Sequence, residues 1–149
     1  MAGCSNPDKG FKRYKTAFYT IDYPEDWEYA PGTDDIDAVF SERSDDPDRV
    51  KPSITVSFGK NSNNNITDDC LSVLKTEIPG FEEIYLNRGN PSRIVFRGDI
   101  AGTKRIWDMT IFQGKTDYFV TGLCYEKDYN GMKNLFRTSA DSFTVKKNR

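Results

Sequence analysis

From Glu82 to Glu126 the chain reads as four β-type runs, "EEIYLN", "SRIVFRGDI", "RIWDMTIFQ" and "DYFVTGLCYE", joined by "RGNP", "AGTK" and "GKT". β-Branched and aromatic residues crowd the runs, and every connection is short and contains glycine. Connections of this length join only antiparallel neighbours, so the second half of the chain is constrained to a meander.

Three further strand signals precede it. In "AFYTIDYPEDW", Tyr19, Ile21 and Tyr23 alternate until Pro24 interrupts the ladder. "DAVFSE" follows a loop, "APGTDD", with Gly32 at its tip. After the charged loop "SDDPDRVKP" comes "SITVSFG", with Ile54, Val56 and Phe58 on one face and Ser53, Thr55 and Ser57 on the other.

Two segments change period. Cys70, Leu71, Leu74 and Ile78 lie at helical spacing, with Thr67 as the expected N-cap and Asp68 and Asp69 in the first turn, where the helix dipole favours anions. Ile66 is placed to staple onto Leu71, and Pro79-Gly80 ends the helix. Near the C-terminus Met132, Leu135, Phe136, Ser139, Ala140 and Phe143 form a second stripe, read as core-facing, with Asp128 as its cap. The order βββ-α-ββββ-α implies an α+β fold, an antiparallel β-sheet sandwiched by helices. The chain has 149 residues, which suits one domain over residues 14–146 after a flexible tether, residues 1–13.

Charge and residue types narrow the function. Eleven carboxylates lie between Asp22 and Asp48 against Arg43 alone, leaving twelve acids and twenty bases elsewhere, so the folded domain is expected to be electrically two-faced. The bases are spread out and carry no RNA-binding or zinc-finger signature, so no nucleic-acid partner is expected. There is no histidine. That removes Ser-His and Cys-His nucleophile pairs and the commonest general base, so the chain is read as not an enzyme, and no cofactor is expected.

The three cysteines, Cys4, Cys70 and Cys124, form no C-x-x-C motif. Ala2-Gly3-Cys4 matches the small-residue end of a bacterial lipobox, in which the cysteine carries lipid. Ser5 to Gly10 is polar and contains proline and glycine, as a tether between membrane and domain requires. This makes Cys4 the lipidation site of an extracytoplasmic, membrane-anchored lipoprotein. The alternative is an ordinary thiol in a cytoplasmic protein whose Met1 is native. In an oxidising compartment Cys70 and Cys124 remain as a candidate disulfide; two buried free thiols are the competing reading.

"FYTIDYPEDWEYAPG", "SITVSF", the hairpin "RIWDMTIFQGKTDYFVTGLCYEKDY" and the closing "SADSFTV" resemble the PsbP family and its relatives, the Ran-binding Mog proteins and bacterial lipoproteins of unassigned role. The resemblance runs from Tyr14 to Val145 and rests on Tyr23-Pro24, Trp27, Gly32, Gly114, Tyr118 and Ser142-Phe143. It implies an antiparallel sheet between helices and an accessory or assembly role. The plant members support the oxygen-evolving side of a photosystem, and the Mog members bind a nuclear GTPase. The plant proteins' contacts use histidines that this chain lacks, and a lipobox-like start does not suit a nuclear protein. The bacterial or archaeal lipoprotein branch fits best, and fold alone does not fix function.

Several residues are candidate contacts. Asp34, Asp35, Asp37, Asp45, Asp46 and Asp48 could gather on a divalent cation or face a basic partner, although their spacing is not that of a Ca²⁺ loop. Arg93, Arg97, Lys104 and Arg105 fall on adjacent strands, where they serve either an anionic ligand or a solvated edge. Trp27, with Tyr23 and Tyr29, is read as closing the core. The leading function is a non-enzymatic, lipid-anchored envelope domain, monomeric, that binds a protein partner through a surface near the acidic loops. The alternative is a soluble protein that binds a small ligand or divalent cation on those loops.

Overall fold

A computed structural model describes residues 10–46, 50–60 and 65–147. The elements in chain order are β1 (Phe11–Lys15), β2 (Tyr19–Pro24), β3 (Glu28–Pro31), β4 (Ile36–Ser41), β5 (Ser53–Lys60), α1 (Ile66–Glu77), β6 (Glu82–Asn87), β7 (Ser92–Ile100), β8 (Thr103–Phe112), β9 (Thr116–Tyr125), α2 (Tyr129–Ser142) and β10 (Thr144–Val145). Seven strands form one antiparallel sheet in the order β3-β4-β5-β9-β8-β7-β6. The four-strand meander is its second half, and β9 returns to the middle to pair with β5, from Ser53 opposite Leu123 to Lys60 opposite Thr116.

Strand alternation divides the sheet's residues between two cores. Tyr118, Val120 and Cys124 of β9 join Ile54 and Val56 of β5 and Ala38 and Phe40 of β4 beneath Phe136 and Ala140 of α2. Ile94 and Phe96 of β7, Ile111 of β8 and the half-buried Phe119 pack beneath Leu71 of α1. The helices therefore lie on opposite faces, as the α+β sandwich requires.

Two strand glycines set how closely each layer approaches. A Cβ at Gly122 would lie 2.4 Å from Cγ of Phe136, so α2 rests its ring on bare β9 backbone. At Gly98 it would lie 2.3 Å from Cγ2 of Ile78 and 3.0 Å from Cζ3 of Trp107. Both residues mark places where a neighbour needs the space of a missing side chain.

The α2 layer holds more than a helix. β1, β2 and β10 form a separate three-stranded sheet beside it. Its Tyr19 and Ile21 are fully buried in the α2 core. Ser139 and Ser142 of α2 stitch this sheet down: Ser139 Oγ donates to the Asp22 carbonyl, and the Asp22 N–H donates to Ser142 Oγ at 2.8 Å. Ser139 thus sits in the buried stripe because its hydroxyl has an acceptor there.

Four expectations are corrected. β1 starts at Phe11 and pairs with β2 from Phe11 opposite Pro24, so residues 11–13 belong to the fold and not to the tether. Glu28–Pro31 form the edge strand β3, which takes in Ala30 and Pro31 of the expected loop. Thr67 does not cap α1, which begins at Ile66; its hydroxyl instead shares a 2.8 Å hydrogen bond with Ser92 on β7. Of the rings near Pro24, Trp27 is buried and Tyr23 stacks on Phe40 at 4.4 Å, as expected, whereas Tyr29 does not close the core: it stays exposed and stacks on Tyr14 at 4.9 Å.

Candidate functional site

The acidic residues do not assemble at one point. Asp34 and Asp35 lie at one end of β4, and Asp45 and Asp46 lie beyond the other. A six-residue strand between them spans roughly 17–20 Å. Asp37 is half-buried, and its carboxylate accepts the Tyr19 hydroxyl. Asp48 lies outside the described residues, and among those described no three acids or thiols approach closely enough to hold a metal ion.

The cysteines are also separated. Cys70 and Cys124 are free thiols. Cys124 faces the α2 core and Cys70 faces the α1 core, so the sheet stands between them and the candidate disulfide is not formed. Cys70 donates to Met109 Sδ at 3.7 Å. Burial, aided by the Asp128 and Asp108 carboxylates, pushes the Cys124 thiol up to about 12, and burial also raises Cys70. Thiolate is the reactive form. Native protein is therefore expected to react slowly at Cys70 and not at Cys124 when Ellman's reagent is followed at neutral pH, with both released by denaturant. Rapid native labelling of Cys124 would contradict its placement. Cys4 lies outside the described residues.

The basic strand residues have separate fates. Arg93 binds Asp108 with both arms of its fork, Nε to Oδ1 at 2.9 Å and Nη2 to Oδ2 at 2.7 Å. The Tyr129 hydroxyl from α2 donates to the same Oδ2 at 2.8 Å. Burial, reinforced by the Asp108 charge, raises Tyr129 above its ordinary value, which keeps it a donor. Arg97 spans Glu126 at 2.7 Å and Glu82 at 2.9 Å, and Lys104 reaches Asp99 at 3.2 Å. The hydrogen bonds to Asp108, and to Glu126 and Glu82, hold Arg93 and Arg97 above the ordinary arginine value. These pairs tie β7 to its neighbours.

Arg105 is different. Opposite Tyr125 in the β8-β9 register, it places its guanidinium carbon 5.6 Å from the centre of that ring. Lys127, in the 3₁₀ turn Glu126–Asp128, places its ammonium 5.5 Å from the same centre. The Tyr125 hydroxyl accepts the Val50 N–H at 3.2 Å, which fixes the ring. Here a cleft of about 550 Å³ opens, lined by Thr103, Lys104, Tyr125, Glu126 and Lys127. Sequence reasoning paired Arg105 with the wrong neighbours and missed Lys127 and Tyr125. The one available signal was the meander itself, which sets the end of β9 beside the start of β8.

No protein-family model matches the chain, and no curated protein matches it in sequence. Solved structures do match in shape. The chain is similar to PA94 of Pseudomonas aeruginosa, a protein of unknown function, with TM-score 0.65 at 11% identity over 93% of this chain and 99% of that one. It is similar to the cyanobacterial PsbP, CyanoP, of Synechocystis sp. PCC 6803, with TM-score 0.63 at 18% identity over 97% of this chain and 96% of that one. It is also similar to LpqN, involved in cell envelope biogenesis of Mycobacterium tuberculosis, with TM-score 0.57 at 12% identity over 93% and 92%. At these identities the likeness establishes a PsbP-like fold.

Proposed function

We propose that this chain is a non-enzymatic binding or assembly-accessory domain of the cell envelope, anchored through lipid on Cys4. The observation that carries the reading is the likeness to CyanoP and LpqN over nearly the whole of each chain, the latter an envelope-biogenesis protein. Two features of this chain support it. The chain has no histidine, and the buried pair Arg93 and Asp108 is spent on holding strands together. Ala2-Gly3-Cys4 supplies the lipobox-like anchor, and the polar segment after it supplies reach. The partner is a protein, met at the exposed edge strand β3 and the exposed Asp34-Asp35 turn beside it.

Phase separation in Triton X-114 tests the anchor. The product of the native gene, made in its own host, is expected in the detergent phase with acyl groups on Cys4 by mass spectrometry. Cys4→Ser moves it to the aqueous phase. Native product found in the aqueous phase with an unmodified Cys4 overturns the envelope reading.

A further inference from the structure

We propose that the corner built by the β1–β2 turn and the C-terminal lysines rests on an anionic lipid surface, with Lys15, Lys146 and Lys147 turned to the headgroups. The chain as a whole carries more acids than bases, 23 against 21. Gly10 to Ile21 nevertheless holds three bases and no acid, and so does Ser142 to Arg149. The fold joins these two segments. β10 pairs with β2 on the side away from β1, and the Lys146 and Lys147 N–H groups both donate to the Phe18 carbonyl, at 2.7 and 3.2 Å.

Side chains extend the join. The Lys146 ammonium donates to the Thr16 carbonyl at 3.1 Å, one residue from Lys15, and the Lys147 ammonium stands 5.5 Å from the centre of the Phe18 ring. Lys15 lies opposite Thr20, and Thr20 opposite Thr144, so Lys15 shares the outer face of the small sheet, away from the buried Tyr19 and Ile21. All three lysines are exposed, and among the described residues none has a carboxylate partner, whereas Arg13 on the same strand is taken by Asp22 at 2.8 Å. The half-buried Phe18 and the exposed Val145 give their stems apolar surface to lie along while the heads reach charge.

Cations on an exposed turn suit a plane of anionic groups, where each is worth about fivefold in partitioning. An acidic protein would meet the same charges. The choice of a bilayer rests on the envelope reading, because β1 is the first described strand after Cys4 and a lipid there holds this sheet next to the membrane.

The test uses the full chain as Cys4→Ser, so that the patch is read apart from the anchor. Cosedimentation at low salt is expected to retain it on phosphatidylcholine vesicles containing phosphatidylglycerol and not on phosphatidylcholine alone, and salt at about 0.5 M releases it. Lys146→Gln with Lys147→Gln weakens partitioning about thirtyfold, and adding Lys15→Gln brings the loss to about a hundredfold. Lys51→Gln with Lys75→Gln removes the same charge as the first pair, before β5 and on α1 across the sheet, and changes partitioning less than about threefold. Thermal melts establish that each variant is folded. No retention on the anionic vesicles at millimolar lipid, which leaves the lysines to an acidic protein, overturns the surface. Equal retention on phosphatidylcholine alone, or equal loss in the two double variants, does the same. Detergent partitioning of the native product reads the acyl group instead, so the anchor and the patch fail separately.

Discussion

Asp108→Ala is expected to lower folding stability by about 3–5 kcal/mol, seen as a fall in the urea midpoint with little change in slope. Asp108 is 5% exposed and accepts three hydrogen bonds, two from Arg93 and one from Tyr129. Removing the carboxylate strands a guanidinium that is itself mostly buried and leaves the Tyr129 hydroxyl without its acceptor. Both losses fall at one seam, because Arg93 and Asp108 sit on neighbouring strands and Tyr129 begins α2. The penalty comes from the unpaired charge more than from the lost attraction. Replacing the pair together, Arg93→Met with Asp108→Leu, is therefore expected to recover most of the stability. A single-variant cost below about 1 kcal/mol would match an exposed pair and refute the buried seam.

Phe136→Ala is expected to cost about 3–5 kcal/mol, and its interaction with Gly122 makes the prediction specific. Phe136 is 3% exposed, and its ring occupies the space where a side chain at Gly122 would stand. Gly122→Ala alone forces the ring and α2 outward, at about 1–3 kcal/mol. In the Phe136→Ala background the added methyl enters vacated space, so that cost shrinks or changes sign. A double-mutant cycle by thermal or urea denaturation should thus show coupling of about 1 kcal/mol or more. Additive losses would mean that the ring does not rest on Gly122.

The candidate sites were less legible than the fold, for a reason visible in individual residues. Arg93, Arg97 and Arg105 look alike in sequence, each a base within a β-type run. Strand register sends the first to Asp108 and Tyr129, the second to Glu82 and Glu126, and leaves the third against Tyr125. The acidic segment misleads in the opposite direction. Asp34 and Asp45 are eleven residues apart in a segment that reads as one cluster, yet β4 runs between them and holds them at opposite ends. Cys70 and Cys124 form a tidy pair by elimination until the sheet is placed between them.

The sequence by itself determined the periods, turns and faces. Alternation in "SITVSFG" and the helical stripe from Met132 to Phe143 are local patterns, and a residue's side of its own strand or helix depends only on spacing. Tertiary structure alone decided that β9 returns beside β5, that a three-stranded sheet shares the α2 layer, and that Arg105 and Lys127 both approach the Tyr125 ring. These contacts join residues distant in the chain. Short pieces such as the two-residue β10 carry too few residues to show a period, and exist because β2 offers an open edge for Thr144 and Val145.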